Sequence, residues 1–127
     1  MEQTKIILTE KAPQPIGPYS QAIVKGNTLF VSGQIAINPT TGLIDTSTIE
    51  VETKQVMQNI EAIVEAAGMK MSDIVKSSIF LLDMNNFGKV NEVYGRYFSK
   101  NPPARETVQV SCLPKNVNVE ISVIAIK

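Results

Sequence analysis

Hydrophobic residues near the C-terminus recur at every second position, those in the middle of the chain recur at three and four, and this change of period orders the elements. Arg105 to Ser111 and Val117 to Ile126 alternate strictly around Leu113-Pro114-Lys115-Asn116, so two strands end the chain. Upstream, Val56, Ile60, Ile63, Val64 and Ala67 fall at helical intervals. Ser47 and Glu50 stand at capping-box spacing before them and Gly68 follows, which predicts a helix over Thr48 to Ala67. Ile74 to Leu82 is β-branched and aromatic and predicts a strand. Phe87, Val90, Tyr94, Tyr97 and Phe98 return to the period of 3.6 and predict a second helix.

Before the first helix, Lys5 to Leu8 reads as a strand, and Ala12 to Tyr19, with Pro13, Pro15 and Pro18, reads as an ordered loop or linker. Ser20 to Val24 and Thr28 to Ser32 flank Lys25-Gly26-Asn27, a hairpin turn. Three strands, a helix, a strand, a helix and two strands predict an α+β fold, a sheet with both helices on one face. At 127 residues without repeats, residues 1–127 read as a single domain.

Charge excludes several functions. Twelve Lys plus Arg balance twelve Asp plus Glu, and no cationic cluster offers the phosphate neutralisation that nucleic-acid binding needs. No apolar run approaches the roughly 18 to 20 residues of a membrane span. Met1 to Thr9 lacks the pattern of a signal peptide, and a lone cysteine cannot form an internal disulfide. A cytoplasmic protein is expected. The chain has no histidine, which removes the usual general base, the usual metal ligand and every Ser-His or Cys-His arrangement. Catalysis would have to use carboxylate, phenol, cation or backbone. Cys112 falls on the apolar side of its predicted strand, where a thiol is ordinarily buried and inert.

The last strands divide their faces. Val108, Val110 and Cys112 lie opposite Arg105, Thr107, Gln109 and Ser111. Val119, Ile121, Val123 and Ala125 lie opposite Asn118, Glu120 and Ser122. The apolar faces are expected under the helices. A polar sheet face is usually just solvated, but Ile124 and Ile126 share the Glu120 side, which favours a subunit interface. Arg105, entered from Asn101-Pro102-Pro103-Ala104, suits a substrate carboxylate, although an arginine at a strand start is commonly a surface residue. Glu120 could serve as acid or base through a water, although such a glutamate is ordinarily solvated. A tight hairpin of the last two strands would hold Arg105 roughly 13 to 20 Å from Glu120, too far for one small substrate. Either the strands do not form a simple hairpin, or a neighbouring chain completes the site.

Three groups of residues carry a resemblance: Ile16-Gly17-Pro18-Tyr19-Ser20-Gln21-Ala22, Val31-Ser32-Gly33-Gln34-Ile35, and Pro103-Ala104-Arg105 with Leu113-Pro114-Lys115 and Val119-Glu120-Ile121. With Glu65-Ala66-Ala67-Gly68 and Val90-Asn91-Glu92-Val93-Tyr94, the whole chain resembles the RidA/YjgF family. That resemblance implies a chorismate-mutase-like mixed β-sheet with two helices on one face, assembled as a homotrimer with its sheets facing inward and its sites in clefts between subunits. It implies hydrolysis of 2-iminobutanoate and 2-iminopropanoate, products of pyridoxal-phosphate-dependent dehydratases, without cofactor or metal. Arg105 would clamp the substrate carboxylate, Glu120 would position or activate water, and Tyr19 and Asn91 would shape the cleft. Gly33 would let backbone approach the ligand. Where many deaminating members read Arg-Ser-Cys, this chain reads Arg105-Glu106-Thr107, so Thr107 replaces a site-lining cysteine and is expected to alter substrate preference. Other functions to weigh are a non-catalytic binder of keto acids, a ribonuclease or translation inhibitor, and a chaperone-like surface.

Overall fold

A computed structural model describes residues 3–127; Met1 and Glu2, part of the segment read as lacking a signal peptide, lie outside it. The strands are β1 (Thr4–Ile7), β2 (Ala22–Lys25), β3 (Thr28–Gln34), β4 (Ile74–Leu81), β5 (Ala104–Gln109) and β6 (Val119–Ile126). The helices are α1 (Ile49–Ala66) and α2 (Phe87–Gly95). The expected order of elements and the α+β class are both met, in one six-stranded sheet ordered β1-β2-β3-β6-β4-β5.

The expected ends shift by a residue or two. Thr48 caps α1 in place of Ser47, its side chain accepting from the Val51 amide at 3.1 Å, while the Ser47 amide bonds Asp45. At the other end Gly68 takes φ +76°, and bonds from Gly68 to the Glu65 carbonyl and from Met69 to that of Val64 close the helix. α2 stops at Gly95, before the predicted Tyr97 and Phe98, although both still pack on the core.

The last two strands are not partners. β4 lies between them, antiparallel to β6 and parallel to β5. Two parallel neighbours need a crossover, and α2 supplies it. The alternating faces of β6 fall as expected, with Val119, Ile121, Val123 and Ala125 buried against the helices. Those of β5 are reversed: Arg105 is in register with buried Ser77, so Arg105 and Thr107 point to the helix side. Val108, paired with Phe80, points to the other side and is exposed. β5 is an edge strand at the margin of the helix layer, where its polar side need not enter the core. Cys112 lies beyond the end of β5 and is exposed, contrary to its expected burial.

The second face of the sheet carries no helix. It presents Ile6, Ile23, Phe30, Val108 and Ile126, all at least 36% exposed. Ile6, Ile23 and Phe30 stand in register on three neighbouring strands, an exposed apolar row of the kind that interaction sites use.

Candidate functional site

β3 holds a bulge beside β6. Val31 pairs with Val123 and Gln34 with Ile121, leaving Ser32 and Gly33 opposite Ser122 alone. The extra residue turns Val31 and Gln34 to the same buried side. It also puts the Gly33 backbone against Glu120: a Cβ at Gly33 would lie 2.8 Å from the Glu120 carboxyl carbon and 3.1 Å from its Cγ. A side chain at Gly33 would therefore collide with the Glu120 carboxylate, and Gly33 itself lines the cavity beside it.

Glu120 lines a cavity of about 360 Å³ with Pro13, Ile16, Tyr19, Ile35 and Pro114 among its walls. These are mainly apolar, and burial pushes the Glu120 carboxyl above its ordinary 4.5. The proline-rich loop that supplies Pro13, Ile16 and Tyr19 is tied down by Gln21, a fully buried side chain. Its Nε2 donates to the carbonyls of Thr9, Ala12 and Pro13 at 2.9 to 3.3 Å, and its Oε1 accepts from the Thr9 amide at 2.7 Å. Ser32 Oγ donates to the Ser20 carbonyl at 2.6 Å, and the Tyr19 hydroxyl accepts from the Ile16 amide at 3.2 Å. The ring is thus held at the rim. Gln21 is a functional residue that composition and period do not single out; its signal in the sequence is a glutamine that follows three prolines and directly precedes a strand.

Arg105 stands elsewhere, on the helix side of β5. Its guanidinium carbon lies 5.6 Å from the Phe87 ring centre and 5.1 Å from that of Tyr94. Asn91, half-buried, falls between those two residues on the same stripe of α2. Tyr94 Oη donates to Ser77 Oγ at 2.9 Å. Burial raises the phenol's pKa, opposed by that hydrogen bond and by the Arg105 charge. Thr107 shares this side, and its buried Oγ1 has no hydrogen-bond partner.

The expected residues therefore form two groups: Tyr19, Gly33 and Glu120 on one face of the sheet, Asn91, Arg105 and Thr107 on the other. Arg105 is level with Ser77 and Glu120 with Phe80, three residues further along β4 and across two strand spacings. That is roughly 10 Å in each direction, in addition to the thickness of the sheet. One copy does not bring Arg105 and Glu120 to a common small molecule.

Among the described residues, no group of three or more His, Cys, Asp or Glu could hold a metal ion, and no helix is long and apolar enough to cross a membrane.

A family profile described as Endoribonuclease L-PSP matches residues 9–127. The chain belongs to the RidA/YjgF family. RutC family protein PH0854 of Pyrococcus horikoshii is 54% identical to it over 123 residues, 97% of this chain and 98% of the relative. The 2-iminobutanoate/2-iminopropanoate deaminase of Dermatophagoides farinae is 48% identical over 126 residues, 99% of this chain and 98% of the relative. The crystal structure of E. coli TdcF with bound serine is similar at TM-score 0.94 and 42% identity, covering 97% of this chain and 98% of that one. The mixed sheet with two helices is thus the fold of this RidA/YjgF family's solved members.

In this RidA/YjgF chain the unpartnered Thr107 hydroxyl carries a measurable cost. Replacing it with the near-isosteric methyl, Thr107→Val, is expected to raise stability by about 1 kcal/mol, read as a higher melting temperature. A fall of similar size would mean that the hydroxyl makes a hydrogen bond in solution.

Proposed function

We propose that the protein hydrolyses small 2-imino acids to 2-keto acids and ammonia, in a cleft where Asn91, Arg105 and Thr107 of one copy meet Tyr19, Gly33 and Glu120 of the next. The observation that carries this reading is the separation of Arg105 from Glu120 on opposite sheet faces, each in an incomplete half-site. The uncovered apolar face supports burial against further copies, and a closed ring of three would repeat the same contact without leaving an open edge.

The chemistry suits these groups. An imine carbon is already electrophilic, so the site needs a held carboxylate and an aimed water. Arg105 would grip the carboxylate through its N–H fork. Glu120, with a raised pKa, would take a proton from water as its oxygen bonds to the imine carbon, and return one to the nitrogen. Transfer of the adduct's hydroxyl proton to that nitrogen breaks the C–N bond as the C=O bond forms, which releases ammonia and leaves the keto acid. The name of the mite relative states this activity, and serine, the molecule bound to TdcF, carries the carboxylate that an arginine would recognise. A cytoplasmic setting beside pyridoxal-phosphate-dependent dehydratases fits the reading, and no step calls for a cofactor. The family profile is named for an endoribonuclease, yet zero net charge and the lack of histidine favour imines over RNA.

The test adds purified protein to threonine dehydratase and threonine and follows 2-oxobutanoate and ammonia release. Wild type is expected to accelerate release, and Arg105→Ala, with matched folding and assembly, to lose at least about tenfold of that rate, since it removes a charge-assisted bidentate contact. No acceleration by wild type would remove the deaminase reading; retained carboxylate binding would then favour a keto-acid binder.

A further inference from the structure

The ion pairs among the described residues join Lys76 to Glu106 and Arg96 to Glu92, and neither involves Arg105. What the Arg105 guanidinium meets is two aromatic rings, Phe87 at 5.6 Å and Tyr94 at 5.1 Å, both within cation–π range. The two kinds of neighbour have different consequences. A carboxylate would occupy the fork of N–H donors and cancel the charge. A ring attracts the cation through its π face and takes none of the in-plane donors.

The rings are themselves held unequally. Tyr94 is only 5% exposed. Its hydroxyl is bonded to Ser77, the residue of β4 in register with Arg105, and Phe98 packs behind it with ring centres 4.8 Å apart. Tyr94 is therefore a fixed wall. Phe87 opens α2 and remains 40% exposed, so little of its ring serves the core, yet it covers the guanidinium. Helical spacing sets Asn91 between the two, so a single stripe of α2 faces the arginine.

We propose that Phe87 and Tyr94 are positioning residues, an aromatic cradle that holds the Arg105 guanidinium in one place and un-neutralised, with its donor edge free for the carboxylate of a small anionic substrate. This rests on the reading that Arg105 grips a substrate carboxylate. Phe87 is the residue to test, because its exposure separates positioning from folding.

Imines generated in situ from amino acids give steady-state constants for wild type, Phe87→Leu and Phe87→Tyr, with melting temperature and assembly measured alongside. Phe87→Leu is expected to raise KM about fivefold, the factor typical of one lost cation–π contact. Its kcat and melting temperature should stay near wild type, because a carboxylate clamp acts alike on ground and transition states. Phe87→Tyr restores a ring and should restore KM. An unchanged KM in Phe87→Leu overturns the cradle, as does a parallel fall in kcat and melting temperature. A second measurement does not need turnover: the Arg105 side-chain methylene proton resonances should be ring-shifted upfield in wild type and move downfield in Phe87→Leu. Absence of that shift overturns the cradle even where hydrolysis is normal. Its presence in a protein that hydrolyses no imine keeps the cradle and removes only the substrate reading.

Discussion

Glu120→Gln lowers imine turnover by at least about a hundredfold, the usual contribution of a positioned acid–base group, and at the same time raises the melting temperature at neutral pH. The second effect follows from the direction of the Glu120 shift. Burial raises its folded pKa above the ordinary 4.5, and no hydrogen-bond or charge partner opposes that shift. Its contribution to stability is full below the ordinary carboxylate value and is lost as pH rises through the folded value. At pH 7 the ionised side chain therefore opposes folding, and a neutral glutamine does not. The two proteins should converge in stability as pH falls towards 4.5. A Glu120→Gln protein that melts lower than wild type at pH 7 would show that the assembled cleft supplies the carboxylate with a partner.

The same variant tests whether two copies share the site. Arg105→Ala and Glu120→Gln each disable every cleft when assembled alone. After dissociation and random reassociation of equal amounts, about one quarter of clefts contain an intact Arg105 from one subunit and an intact Glu120 from its neighbour. Activity should recover in that proportion. Mixed assemblies demonstrated by mass spectrometry but still inactive would mean that the two residues do not act on one substrate.

The largest effect on stability is expected at Glu52. This carboxylate in the first turn of α1 is fully buried. Its Oε2 accepts from the backbone amides of Asn118 and Val119 at 2.7 and 3.1 Å, and its Oε1 from Asn118 Nδ2 at 2.8 Å. The helix N-terminus supports the charge. Glu52→Ala strands the buried Val119 amide and the half-buried Asn118 amide and leaves a void, costing about 3 to 5 kcal/mol. That is a large share of the roughly 5 to 15 kcal/mol available to a domain. Glu52→Gln keeps one oxygen acceptor and should lose markedly less. Denaturant unfolding measures both, and a loss under about 1 kcal/mol in Glu52→Ala would refute the assignment. Because the anchored amides directly precede Glu120, turnover should fall too, even at temperatures where the variant remains folded.

Glu52 also shows where reading the sequence stops. Its helix was legible from the spacing of Val56, Ile60, Ile63 and Val64, which records a buried stripe that α1 presents to β3 and β6. That its glutamate would reach Asn118, 66 residues away, was not, because a carboxylate in a first helical turn reads as an ordinary surface charge. The β3 bulge was hidden similarly: Gly33 was conspicuous, but its relation to Glu120 arises only once Gln34 pairs with Ile121. Phe87 and Tyr94 were legible as members of a helical stripe and illegible as neighbours of Arg105.

By itself the sequence determined the kinds of elements, their order, the buried side of β6 and the residues worth suspecting, because side-chain period, caps and turn residues act over a few positions of chain. The tertiary structure alone decided that β4 separates β5 from β6, that Arg105 points to the helix side, and that it and Glu120 occupy opposite faces. Strand pairing joins residues far apart in sequence, and the alternation of a polar edge strand reads the same whichever neighbour it adopts and whichever side it turns to the helices.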